Sequence, residues 1–322
     1  MKKLVSVLLV SMLVLASLGS AMAADYPSKG ISVICPWSAG GGTDSCLRAL
    51  CIAAEKILGQ TLTVENKTGG GGLIGHSAIA TAKPDGYTFG MITFELSTYV
   101  PQGTGDLTYE DYDLLCRVNT DAAALTVNTA WAAANNITDV PTFVAYCKEH
   151  PGAVNIGNSA PASVWHIGAG LLAQAADIQV EHVAFEGAAA AVTALAGGHI
   201  EAVSVSLGEV RSQVEAGNLK VLGVMDTKRA PLFPDVPTFQ EQGYDIVYGT
   251  WRGLALPKGV DPAIKAVLAD AFAKAVEDPD FVTYMQNASL TISYQNEEDF
   301  TAFLKQNYTD VESTMKALGL TQ

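Results

Sequence analysis

The chain has 322 residues, a hydrophobic fraction of 49%, five cysteines and a formal net charge of −14. So acidic a surface repels nucleic acid and anionic lipid, which excludes both as expected partners. The length exceeds one ordinary domain and points to two α/β domains, each with apolar residues enough for its own core.

Residues 1–23, MKKLVSVLLVSMLVLASLGSAMA, set Lys2 and Lys3 ahead of the apolar run 4–18 and then the small-residue site Ala21-Met22-Ala23. This is the pattern of a secretory leader cleaved after Ala23, and the run is shorter than the about 20 apolar residues that span a bilayer. No cysteine follows the cleavage site, so lipid attachment there is not available. The mature chain, more acidic still without its two leading lysines, is expected to be a freely diffusing monomer in the periplasm.

After the leader, residues 31–35 read as a short buried strand, and Leu47, Leu50, Cys51, Ala54, Ile57 and Leu58 recur at helical spacing up to Gly59. Between them lies Pro36-Trp37-Ser38-Ala39-Gly40-Gly41-Gly42-Thr43-Asp44, a glycine loop that opens a helix. Glycines there let backbone amides approach an anion, and Thr43 or Asp44 is expected to cap the helix. A phosphate loop needs GxxxxGK[ST], and no lysine follows these glycines, so a carboxylate is the better-suited anion.

The next strand, 61–65, leads to a second glycine loop, 69–72, a helix over 76–83 ended by Pro84-Asp85-Gly86, and a strand over 87–93. Gly70, Gly72 and Gly75 spell GxGxxG, with Glu95 twenty residues beyond Gly75, where a ribose-binding acid would stand. Two facts count against a dinucleotide site: the motif follows the second strand rather than the first, and the chain carries an export leader.

Residues 114–127 are apolar and extended, as a crossover into a second domain would be. There the pattern restarts with helix 140–149, strand 154–157, helix 164–176, strand 180–185, helix 188–196, strand 202–206 and strand 221–225. A proline-rich turn at 231–237 and a short helix precede a return strand over 246–256. The remainder, 261–319, reads as mostly helical, with Asp261-Pro262 as cap and first helical residue. Alternating strands and helices argue for a largely parallel, doubly wound sheet in each domain, with a cleft between domains joined by two extended crossovers.

Cys35, Cys46, Cys51, Cys116 and Cys147 show neither CxxC nor a cysteine–histidine cluster, and Cys35 and Cys51 sit at apolar positions that suit buried free thiols. The five histidines are dispersed, and no GxSxG or HExxH signature is present.

The segments Tyr26-Pro27-Ser28-Lys29, Pro36 to Asp44 with Arg48, Val64-Glu65-Asn66-Lys67 with Gly69 to Gly75, and Pro84-Asp85-Gly86-Tyr87-Thr88 are followed by His182-Val183-Ala184-Phe185 with Gly187, then Leu195-Ala196-Gly197-Gly198-His199-Ile200-Glu201, Pro234-Asp235-Val236-Pro237-Thr238, and Trp251 with Gly253. In that order and spacing the mature chain resembles the Bug family, the periplasmic receptors of tripartite tricarboxylate transporters. The resemblance implies a type II periplasmic-binding-protein fold: two doubly wound lobes, 24–122 with 247–322 and 123–246, on a two-strand hinge. It implies a receptor without catalysis, cofactor or metal that captures a small carboxylate, a di- or tricarboxylate or an amino-acid-like one, and delivers it to membrane permease subunits.

Carried over residue by residue, Ser38, Ala39, Gly42, Thr43 and Asp44 supply donors to a carboxylate, and Gly71 and Gly72 wall the other side. Ser159, Ala160 and Ser163, with Phe185 and Gly187, contribute from the second lobe, and Trp251 from the return strand. Glu95 and Glu186 depart from the family pattern. They read either as solvated rim residues or as cleft residues pairing with a cation, which would favour a zwitterionic ligand. Arg252, beside Trp251, reads either as a clamp for a second carboxylate or as the partner of a local acid at the hinge. Two other readings stay open: a sensing module of the same fold that feeds a signalling partner, and an exported hydrolase with Ser163 as its nucleophile.

Overall fold

The computed structural model describes residues 26–322, so the leader read over 1–23 lies outside the described residues. Ten strands, β1 (Ile31–Cys35), β2 (Leu62–Asn66), β3 (Thr88–Thr93), β4 (Tyr112–Asn128), β5 (Asn155–Asn158), β6 (Glu181–Ala184), β7 (Ala202–Ser206), β8 (Leu219–Val224), β9 (Gly249–Pro257) and β10 (Ile292–Gln295), form one path ordered β2-β1-β3-β9-β4-β7-β5-β6, with β8 and β10 also on β4.

The long strand β4 organises the molecule. Its residues 112–122 pair with β9, and β10 pairs at Arg117 and Asn119. From Ala123 onwards β4 pairs instead with β7 and β8. β4 thus passes from one set of partner strands to the other between Ala122 and Ala123, and β9 starts beside that point through Ala122↔Gly249.

The sheet is mixed rather than largely parallel. β1 is parallel to β2 and β3, and β5 to β6 and β7, as crossover helices require, but β4 and β9 run antiparallel to their neighbours. The reason is that these two strands carry the chain between the lobes in opposite directions.

Helices Val140–Glu149, Val164–Ala176 and Ala188–Ala196 start and stop where the sequence places them, and Asp261 caps Pro262–Ala275 through Ala263 N. The reading lacks helix Tyr99–Gln102, helix Thr129–Ala134, helix Leu207–Glu215 between β7 and β8, and β10 within the region expected to be helical, and it sets the helix observed at Leu73–Ala80 three residues late. In lobe I, Cys35, Cys46, Cys51 and Cys116 are packed among Leu47, Leu50, Phe89, Phe272 and neighbours, and all five cysteines are buried and free. Lobe II is centred on Phe143, Trp165, Leu172 and the apolar residues of β7.

Candidate functional site

Between the lobes lie two adjoining chambers. The inner one, about 30 Å³, meets the outer one, about 510 Å³, at Trp37, Glu95 and Ser159, which line both. The inner chamber gathers helix starts from both lobes: Gly42 opens Gly42–Leu58, Val164 opens Val164–Ala176, and Ala188 opens Ala188–Ala196. The first four amides of a helix have no acceptor within it and carry its positive dipole end, so the chamber wall is rich in oriented donors.

The two glycine loops serve this geometry. A β-carbon on Gly42 would stand 2.8 Å from Arg252 Nη2, so only glycine lets the guanidinium approach the helix start. Gly70, Gly71 and Gly72 take left-handed φ of 60°, 63° and 92°, forming the tight turn that walls the outer chamber. Gly75 is glycine because a β-carbon there would lie 2.5 Å from Pro36 Cα. The GxGxxG spacing thus follows from a turn and from packing of the two loops against each other.

A buried histidine holds that turn in place. Thr93 N donates to His76 Nε2 at 3.1 Å, so Nδ1 carries the proton toward the Tyr99 hydroxyl at 2.7 Å, and Tyr99 donates to Gly71 O at 3.0 Å. Burial lowers the His76 pKa to about 3, so the ring is neutral and structural.

The structure brings most of the sequence-predicted residues together. Ser38, Gly42, Thr43, Ser159 and Gly187 line the inner chamber, and Gly71, Gly72, Ala160, Phe185 and Glu186 line the outer one. Ser38 Oγ donates across the cleft to Glu186 O at 3.0 Å. Glu186 is exposed at the mouth, whereas Glu95 is only 3% exposed, so a solvated-rim reading fails for Glu95. Its Oε2 accepts from the Thr93 hydroxyl at 2.6 Å, which in turn accepts from the Trp37 indole at 3.2 Å.

Arg252 is buried and pairs with the hinge acid Asp121, with further bonds from Nη1 to Asn119 Oδ1 at 2.6 Å and from Nε to Thr43 Oγ1 at 2.9 Å. Burial pulls its guanidinium down, but Asp121 and Glu209 outweigh this and hold the pKa above its ordinary value. Of the two readings of Arg252, the local pairing is the one observed, although the residue also lines the inner chamber.

Four predicted residues stand outside the chambers. Ala39 is exposed at the loop tip. Asp44 caps nothing: the helix begins three residues earlier than a cap at that position would allow, at N-cap Gly41, and the carboxylate folds back to accept from Gly40 N and pair with Arg48 and Asn66. Thr43 does not cap the helix either, since its hydroxyl is engaged by Arg252. Trp251 points away from the cleft because neighbours on a strand face opposite sides. It packs on Phe300 and Phe303 and donates to Asn307 Oδ1 at 2.9 Å. Ser163 is a helix cap: its Oγ accepts from His166 N at 3.4 Å, while His166 Nδ1 accepts from Ala162 N at 2.9 Å. That histidine is turned to the backbone, so the pair does not form a nucleophile and base.

Sequence reasoning missed Glu209, on the unread helix Leu207–Glu215, and it lines the inner chamber. Its Oε2 accepts from Ser206 N at 3.0 Å and from the Ser206 hydroxyl at 2.9 Å. The spacing Ser206-x-x-Glu209 is a capping-box signature that marks both the helix start and the acid.

A family model described as "Tripartite tricarboxylate transporter family receptor" matches residues 46–320. A UPF0065 protein from the gbd 5' region of Cupriavidus necator is 31% identical over 93% of this chain and 90% of its own. A TctC solute-binding protein from Polaromonas, solved with no ligand, is 36% identical and superposes with a TM-score of 0.68 over 91% of this chain and 99% of its own. The periplasmic binding protein BugD is 25% identical, with a TM-score of 0.85 over 92% and 99%.

Proposed function

The chain belongs to the tripartite tricarboxylate transporter receptor family of solute-binding proteins, and on that premise we propose that it captures a small carboxylate between its lobes and delivers it to the membrane subunits of such a transporter. The observation that carries this reading is a cleft of two adjoining chambers that residues of both lobes line, with the turn of Gly70, Gly71 and Gly72 and three helix starts on its walls. Backbone amides of glycine turns and helix starts hold a carboxylate without a metal or a lysine, and lobe closure brings the two walls of the cleft to the same ligand.

The lobes in this reading are 24–122 with 247–322 and 123–246, moving about β4 and β9. The change of β4's partners between Ala122 and Ala123 supports the division. The protein is read as periplasmic, exported by the leader over 1–23, which lies outside the described residues; among the described residues no helix is long and apolar enough to cross a membrane.

Calorimetric titration against a panel of mono-, di- and tricarboxylates, with and without amino groups, tests the capture step. One site with a Kd of about 10 μM or tighter, unaltered by a chelator, is expected for at least one member, corresponding to roughly −7 kcal/mol or better. No member binding below about 1 mM would overturn the reading. Delivery is tested in vesicles bearing the membrane subunits: accumulation of the bound carboxylate should require this protein, and accumulation without it would contradict the proposal.

A further inference from the structure

We propose that the inner chamber is a cation subsite, in which Glu95 from one lobe and Glu209 from the other grip the protonated amino group of a ligand whose carboxylate stays at the glycine-lined outer wall. The receptor would then select an ammonium-bearing carboxylate over a plain di- or tricarboxylate. The inference rests on the receptor reading above and deepens it.

The two acids are built alike. Each has one oxygen fixed by its own lobe, Glu95 Oε2 by Thr93 and Glu209 Oε2 by Ser206. Each turns Oε1 across the cleft, to a single long contact with the first amide of a helix in the opposite lobe: Glu95 to Val164 N and Glu209 to Gly42 N, both at 3.4 Å. The protein's own carboxylates therefore already stand against two of the helix starts that would receive an anion in the inner chamber. A ligand carboxylate pushed to that depth meets two like charges at close range, where repulsion in a low-dielectric site is strong.

Charge balance points the same way. Arg252 is the one cationic side chain that lines either chamber among the described residues, and Asp121 already holds it. Buried Glu95 and half-buried Glu209 have no cation of their own, and desolvation pushes both carboxyls above the ordinary glutamate range against the pull of Arg252. A buried carboxylate is stable when paired and hydrogen-bonded, and a ligand ammonium supplies the missing pair. Size agrees: an inner space of about 30 Å³ suits a group the size of water, such as an ammonium head, and the outer space of about 510 Å³ holds the rest of a small ligand. Glu186 at the mouth adds a further bias against a second or third carboxylate.

The test is calorimetry on the full mature protein with pairs that differ only by an amino group: glutamate and glutarate, 4-aminobutanoate and butanoate, alanine and propanoate. The aminated member is expected to bind at least tenfold more tightly wherever either member binds. Glu95→Gln and Glu209→Gln should each reduce that ratio to below about threefold; should a variant fail to melt cooperatively, the ratios on the unaltered protein decide. Carboxylates that bind without preference for the amino group, or with preference against it, overturn this inference and leave the receptor reading standing. No binding by any member, nor by the wider carboxylate panel, overturns both.

Discussion

A β-carbon at position 42 would press on Arg252 Nη2 and stand 3.4 Å from Glu209 Oε1, so one methyl group tests the tightness of the inner chamber. Gly42→Ala is expected to weaken binding of whichever carboxylate the protein takes by about tenfold, or about 1.4 kcal/mol, while overpacking costs roughly 1–3 kcal/mol of stability. Calorimetry beside a urea melt checks it, and unchanged affinity would place the ligand away from this helix start. Gly42 and Gly72 were legible in the sequence because a turn or a close approach before a helix selects glycine, whereas Gly187 came from the family likeness. Glu209 was not, since helix Leu207–Glu215 buries only Leu207 and Val210 and shows little apolar periodicity. Trp251 was misplaced for another reason: its role came from family likeness, whereas strand alternation already sets it opposite Arg252.

The hinge strands carry the next level of consequence. Arg252 on β9 meets Asp121 on β4 beside the Ala122–Ala123 junction, and Asp121 Oδ1 also accepts from Thr291 N at 2.9 Å. The two halves of this buried pair are not equivalent. Arg252→Met leaves Asp121, Glu95 and Glu209 around the site with no cation, whereas Asp121→Asn leaves the guanidinium with two nearby acids. Losing one partner of a buried pair costs about 3–5 kcal/mol, and Arg252→Met is expected to fall in that range. Asp121→Asn is expected to cost clearly less, on the order of 1–3 kcal/mol for a weakened buried hydrogen bond. Urea denaturation gives the order, and equal or reversed costs would mean that the glutamates do not feel Arg252. Elements of this size were mostly readable, since hydrophobic runs and caps mark them. The short strand β10 was not, because four residues at the side of β4 leave almost no periodic signal.

At the scale of the molecule, the lobes are joined by polar contacts such as Ser38 to Glu186 and Gln102 to Pro161, together with the two long glutamate contacts. A polar interface of this kind lets domains move relative to one another. The lobe cores are by contrast closed: all five cysteines are buried, and burial pushes the Cys35, Cys46, Cys116 and Cys147 thiols up to about 12 and that of Cys51 further. A thiol reagent is therefore expected to find no reactive cysteine in the native protein and five after denaturation without reductant; fewer than five would reveal a disulfide. The central claim, capture of a carboxylate by lobe closure, is tested most directly by small-angle scattering with and without the carboxylate that binds most tightly in calorimetry. The radius of gyration is expected to fall on binding toward about 19 Å, the value for a compact chain of this length, with a shorter maximum dimension. Identical scattering curves with the site saturated would contradict the account.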